Sequence, residues 1–230
     1  MKKHLLFVLA LASSLSACRT LNLNDYHTIQ ALPQRLPRLQ VLIHERSFAE
    51  AFDDAFFREA LLANSWSLAG YAPGPGEAYD KTVAATDDVF RALENELTDN
   101  FTLSSGPCYG HARFKLLYYQ RRNSGWGYMI PSIGTLWTAN VLGMPYKVFR
   151  VEMEVQMEIT DAKGKVIVRH TASGIGKGKV AAYHGYTGPT AVRKANLLAL
   201  QDALSKIKPE LSADAPGLST QLLESGDLQK

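Results

Sequence analysis

The sequence predicts an α+β fold in which an antiparallel sheet carries its helices on one face, as a two-layer sandwich. Two observations predict it: a long hairpin pattern over about 147–173, and an alanine- and leucine-rich helical stripe over 190–211. A content of 46% apolar and 20% charged residues excludes a disordered or fibrous chain. The absence of an internal repeat or a break in composition favours one globular domain, which we place at 39–208.

The hairpin is the clearest periodic element. Apolar and polar residues alternate from Phe149 to Thr160, which is typical of a strand with one face in water. The sequence Asp161-Ala162-Lys163-Gly164 then supplies a turn, after which a second strand returns to Ser173. The following stretch, 174–179, alternates glycine with other residues, but its spacing does not match a phosphate-binding loop. We expect a flexible basic loop there.

The remaining elements are predicted from shorter patterns. Short strands are expected at 39–43 and 112–119, and amphipathic helices at 48–63, 81–100 and 190–211. Pro209 is followed by a polar stretch with further Gly and Pro residues, so we expect a flexible C-terminal tail at 209–230.

The first residues have the pattern of an export signal. Lys2 and Lys3 precede an apolar stretch, 5–17, that is shorter than the roughly 20 residues needed to cross a bilayer. Residues 1–17 are therefore predicted to be a cleaved signal peptide. Its removal leaves 23 Lys and Arg residues against 22 Asp and Glu, so the formal charge falls from +3 to +1. Overall basicity thus indicates no nucleic-acid partner.

The end of this segment, Leu15-Ser16-Ala17-Cys18, resembles the lipobox of bacterial lipoproteins at all four positions. The resemblance implies cleavage before Cys18, a diacylglycerol on its thiol and an acylated amino group. Several acyl chains on one residue would hold the protein firmly to a membrane. Arg19 stands where inner-membrane lipoproteins of enteric-type bacteria carry Asp, which implies the periplasmic face of the outer membrane. Residues 18–38 are predicted to be the lipid anchor and its tether.

Between the predicted strands lies an uncharged segment, 123–146. Its length would suit a membrane helix, but its glycines and prolines argue against one. It either dips into lipid or meets a partner, or it folds over the sheet and closes the core. The candidate membrane or partner contacts are Trp126, Tyr128, Met129, Ile130, Trp137, Leu142 and Met144.

No pattern of catalytic or metal-binding residues emerges from the sequence. Cys108 lies three residues before His111, but no third residue is identified that would orient a cysteine nucleophile, so we expect a buried thiol. The histidines lack zinc-site spacing, and the Gly-x-Ser-x-Gly hydrolase motif is absent. We expect no metal, no cofactor and no catalytic residue.

The order of elements, ending in a helix with Ala191, Ala195, Ala199 and Ala203, is similar to that of small bacterial envelope lipoproteins. These share the sandwich of the N-terminal domain of the Tol translocation protein and of the curli-secretion channel lipoprotein. The resemblance implies a non-enzymatic role in assembly, secretion or envelope maintenance. The expected partners are the membrane, through Cys18, and either further copies of the chain or another envelope protein. The alternative is a periplasmic hydrolase with an unrecognised active site.

Overall fold

The structure is a computed structural model that describes residues 31–66, 75–123, 130, 133–135, 144–145, 147–180 and 188–228. The strands are Gln40–Ile43 (β1), Gly110–Asn123 (β2), Lys147–Asp161 (β3) and Val166–Val180 (β4). The helices are Glu45–Trp66 (α1), Pro75–Glu96 (α2) and Gly188–Ser225 (α3), and a π-helical turn, Leu97–Phe101, follows α2 directly. The α+β fold class is confirmed.

The four strands form one open sheet in the order β1-β2-β3-β4. The pairs β2–β3 and β3–β4 are antiparallel, as predicted, whereas β1 lies parallel to β2. Parallel neighbours cannot be joined by a tight turn, and here α1 and α2 provide the long connection between them. The sheet is therefore mixed rather than purely antiparallel.

One face of the sheet is buried beneath the helices. The inward side chains of β3 alternate with outward polar ones, so the predicted two-residue period is confirmed. Helix α3 packs across β3 and β4, α1 packs on β2, and α2 packs on both other helices. The inward residues of β3 are Phe149, Val151, Met153, Val155, Met157 and Ile159.

The prediction of a flexible basic loop at 174–179 is wrong, because this segment is the second half of β4. Gly174, Gly176 and Gly178 face α3. A β-carbon at these glycines would lie 1.9, 1.9 and 1.8 Å from the carbonyl oxygens of Ala199, Ala195 and Ala191, respectively. Only glycine permits so close an approach of two backbones. The glycines of β4 and the alanines of α3 form a single packing interface.

The prediction of a flexible tail is also wrong at 209–225, where α3 continues. Two prolines, Pro209 and Pro216, lie inside the helix. Each removes a backbone donor, which usually ends a helix. Here the apolar stripe continues beyond both of them and is buried in the core, through Leu211, Ala215, Leu218 and Leu222.

The domain also begins earlier than predicted. Leu32 and Leu36, which lie within the predicted tether at 18–38, are buried. The backbone N–H groups of Leu32 and Leu36 donate to the carbonyl oxygens of Asn100 and Phe101, at 2.8 and 3.0 Å. The chain is therefore fixed to the π-helical turn well before β1. Among the described residues, no helix combines the length and apolar character needed to cross a membrane.

Candidate functional site

The open face of the sheet, opposite the helices, is rich in charge. Its charged side chains are exposed or half-buried, and basic residues outnumber acidic ones. The acidic residues all lie on β3, the central partner of β2 and β4. By register, the charged residues of this face are Arg113, Lys115, Arg122, Arg150, Arg169, Lys177 and Lys179, with Glu152, Glu154 and Glu158.

At one end of this face the cations stand side by side. Arg122 pairs in register with Arg150, and Arg150 pairs with Lys177. Lys179 is the next outward residue of β4. We call these four exposed residues the basic row. Like charges directly opposite each other destabilise a sheet, so the arrangement is unfavourable for folding by itself.

At the other end of the face, an acidic residue lies between two basic ones. There Arg113 pairs in register with Glu158, and Glu158 pairs with Arg169. The Nε atom of Arg169 lies 2.6 Å from Oε1 of Glu158. These residues line a groove of about 630 Å³ that also includes Leu42 and Leu117. The two ends of the open face therefore differ in charge balance.

Most of the predicted contact residues lie outside the described part of the chain, namely Trp126, Tyr128, Met129, Trp137 and Leu142, as does Cys18. Ile130 is described and is 64% exposed, and Met144 is half-buried. Ile133, which was not among the predicted residues, is 49% exposed. Since β2 ends at Asn123 and β3 begins at Lys147, both ends of the uncharged segment join the sheet at the end that carries the basic row.

The sequence hypothesis of a cysteine and histidine pair gains no support from the described contacts. Cys108 is half-buried rather than fully buried, and it lines a cavity of about 350 Å³ with Arg38, Thr98 and other residues. His111 does not line this cavity. Burial, with a contribution from the positive charge of Arg113, lowers the pKa of His111.

Glu96 is a further titratable group that is buried on the helix side. The carboxylate of Glu96 accepts a 2.7 Å hydrogen bond from Nδ2 of Asn100, in the π-helical turn. Burial raises the pKa of Glu96 to about 7, although Asn100 and the charge of Lys208 act in the opposite direction.

Among the residues that the structure describes, no group of three His, Cys, Asp or Glu side chains is placed to hold a metal ion.

His170 links β4 to the part of α3 that lies within the predicted tail, 209–230. Its Nδ1 lies 2.9 Å from Oε2 of Glu210, and its Nε2 lies 3.3 Å from Oδ2 of Asp214. Both carboxylates are one helical turn apart on α3. The imidazole thus connects the sheet to the second half of the helix, which is a structural role.

Comparisons with known proteins add little to this geometry. Scans against protein-family models and against curated proteins give no match. A search of solved structures finds a crystal structure of a candidate lipoprotein from Caulobacter crescentus CB15. It is 14% identical, with a TM-score of 0.29, and the alignment covers 78% of this chain and 98% of that one. A likeness at this TM-score carries no argument about function.

Proposed function

We propose that the protein is a lipid-anchored cell-envelope lipoprotein that faces the periplasm and serves a non-enzymatic scaffold, assembly or secretion-accessory role. The observation that carries the proposal is the lipobox Leu15-Ser16-Ala17-Cys18 behind a short apolar stretch. Acylation of Cys18 would attach the folded domain to the membrane through several acyl chains. Arg19 favours the outer membrane over the inner one.

The shape of the domain supports a role in binding. Its helices pack on one face of the sheet, and the other face presents charged side chains on strands held in register by long hydrogen-bonded ladders. Such a face is rigid and can present a fixed charge pattern to a partner surface. Exposed Ile130 and Ile133 add apolar area to the segment that leaves the sheet beside it.

The anchor is tested by metabolic labelling with a radioactive fatty acid. The wild-type protein should incorporate label and float with membranes, whereas Cys18→Ser should lose the label and remain unprocessed. Cys108→Ser is the matched control and should be labelled like the wild type. Label that persists in Cys18→Ser, or its absence in the wild type, contradicts the anchor.

Two further variants test location and role. Arg19→Asp should move the protein from outer-membrane to inner-membrane fractions on a density gradient, and Arg19→Lys should not.

Replacement of residues 125–144 by a short Gly-Ser linker should preserve folding and lipidation while changing chemical cross-linking to neighbouring copies or envelope proteins. An unchanged cross-linking pattern counts against a contact role for that segment.

A further inference from the structure

We propose that the basic row, formed by Arg122, Arg150, Lys177 and Lys179, binds the anionic phospholipid headgroups of a bilayer. It would be a second membrane contact, separate from the acylated cysteine. The inference rests on the proposed function only in that the anchor keeps the domain close to a membrane. The residues that carry it all lie in described strands and are all exposed.

Three cations of the row lie on one line across the sheet. Arg122, Arg150 and Lys177 occupy the same register position on three adjacent strands. Neighbouring strands lie about 4.8 Å apart, so the three backbone positions span about 10 Å along one straight line. Long side chains from such a line can reach several phosphate groups of a flat surface at once. A rigid sheet fixes their spacing without further ordering of the backbone.

The electrostatic environment of the row also favours an anionic partner. The nearest outward acid on β3 is Glu152, one register step from Arg150, and it forms no ion pair with the row in the part of the chain that is described. On the same face, Arg169 is paired with Glu158. Arg169 thus has an acidic partner at 2.6 Å, whereas no ion pair joins the row to an acidic side chain in the strands that the structure describes. An external anion would relieve the repulsion among these neighbours.

The row lies at the end of the sheet that joins the uncharged segment. The uncharged segment 123–146 leaves β2 directly after Arg122 and returns at the start of β3. Its sequence contains Trp and Tyr residues of the kind enriched where protein meets the lipid interface. In the sequence the row thus adjoins a segment of apolar and aromatic residues, and basic residues together with such residues are typical of interfacial membrane contacts. Each Lys or Arg near an anionic surface strengthens that contact.

A nucleic acid fits the row less well. Proteins that bind nucleic acid present a basic stripe or groove that follows the phosphate backbone. The row offers four cations at one end of a face whose middle carries glutamates. Repulsion from Glu152 and Glu154 would act on a long polyanion crossing the sheet, but a bilayer surface can meet the end of the sheet alone.

The test measures the reactivity of lysines with an amine-specific reagent. The full chain is incubated with vesicles of phosphatidylcholine alone, or with about 30% phosphatidylglycerol added to give an anionic surface. We expect the modification of Lys177 and Lys179 to slow about fivefold on the anionic vesicles. Lys163 and Lys165, at the hairpin turn on the opposite end of the sheet, should be unaffected. Raising NaCl to about 0.5 M should remove the protection.

A pair of matched variants isolates the row. The double variant Arg122→Gln with Arg150→Gln should reduce the protection of Lys177 to below about twofold. The control, Arg113→Gln with Lys115→Gln, removes the same charge from the other end of the face and should leave the protection of Lys177 unchanged. The thermal midpoint of each variant checks folding. The first pair should keep or raise the midpoint, since it removes repulsion between like charges.

Vesicle flotation in the same samples reports on the anchor separately from the row. Flotation without lysine protection contradicts lipid binding by the row but is consistent with the acylated anchor. Lysine protection without acylation supports lipid binding by the row alone. Equal reactivity on neutral and anionic vesicles contradicts the proposal, as does equal slowing at Lys163. If a single-stranded oligonucleotide slows the modification of Lys177 and Lys179 but anionic vesicles do not, the row binds another anion, and the proposal of phospholipid binding is wrong.

Discussion

The backbone of Gly176 in β4 lies against the carbonyl oxygen of Ala195 in α3 so closely that a β-carbon on the glycine would stand 1.9 Å from that oxygen. No rotamer change can relieve this contact, because both partners are backbone. We therefore expect Gly176→Ala to push α3 away from the sheet and to cost about 3 kcal/mol. The measurement is the free energy of unfolding in urea.

A glycine of α3 itself provides the control. A β-carbon on Gly217 would have no neighbouring atom within 4 Å. Gly217→Ala should therefore be neutral or stabilise the protein by about 0.5 kcal/mol, because alanine is the better helix former. If the two variants unfold at the same urea concentration, the close approach of β4 and α3 is not a determinant of stability.

This interface shows what the sequence could predict and what it could not. The alternation in β3 was predicted because large apolar side chains mark the buried face directly. In the second half of β4 the buried face is marked only by Gly174, Gly176 and Gly178, and glycine is common in loops. The alanine stripe of α3 was recognised, but nothing local indicates that these glycines are its packing partners.

Two other differences have equally physical causes. Pro209 suggested the end of a helix, yet burial of Leu211, Leu218 and Leu222 offsets the lost hydrogen bonds. The basic row was not predicted because Arg122, Arg150 and Lys177 are far apart in the sequence. They become neighbours only through strand register, which the pattern of a single strand does not encode.

The ion pair between α2 and α3 should contribute measurably to stability. Arg193 contacts Asp88 through Nε, at 2.5 Å from Oδ2, and through Nη2, at 2.7 Å from Oδ1. Asp88 is buried, whereas the Arg193 side chain is 34% exposed, so solvent screens part of the interaction. We expect Asp88→Ala to cost about 2 kcal/mol by chemical denaturation.

Asp87, the exposed neighbour of Asp88 on the same helix, is the matched control. Asp87→Ala should change stability by less than about 0.5 kcal/mol. Equal losses at the two positions would indicate a helix effect of removing aspartate rather than the loss of a specific ion pair.

Glu96 should make stability depend on pH. Burial raises the pKa of Glu96 to about 7, above its ordinary value of 4.5, so the folded state holds this proton more tightly than the unfolded state. The resulting stabilisation is fully present below pH 4.5 and is lost as the pH rises through 7. In Glu96→Gln this dependence should vanish, since glutamine stays neutral and its side-chain oxygen can still accept from Asn100.

The quantity to measure is the difference in unfolding free energy between Glu96→Gln and the wild type at pH 5 and pH 8. We expect this difference to grow by about 2 kcal/mol in favour of the variant, because each unit of pKa shift corresponds to about 1.4 kcal/mol. Glu94→Gln, at an exposed position of the same helix, should show no such growth. A constant difference for Glu96→Gln would mean that its carboxyl titrates normally in the folded protein.

The free edge of β4 is blocked by side chains of α3. The backbone N–H of Ile175 donates to Oδ2 of Asp202 at 2.9 Å, and Nζ of Lys206 donates to the carbonyl oxygen of Ser173 at 2.7 Å. Although burial acts to raise the pKa of Asp202, its hydrogen bonds from Lys206 and Ile175 outweigh this effect and lower it. The carboxylate therefore stays charged at neutral pH and accepts hydrogen bonds from the N–H of Ile175 and from Nζ of Lys206, the latter at 2.8 Å.

An unpaired strand edge is a template for pairing with another chain. Removing both side chains, by Asp202→Ala with Lys206→Ala, exposes the N–H and C=O groups at the middle of β4, where the neighbouring glycines offer no steric protection. We expect the double variant to self-associate as its concentration is raised, measured by sedimentation velocity. Ser205→Ala, at an exposed position between them, should sediment like the wild type. A double variant with the wild-type sedimentation profile at every concentration would show that Asp202 and Lys206 do not protect this edge.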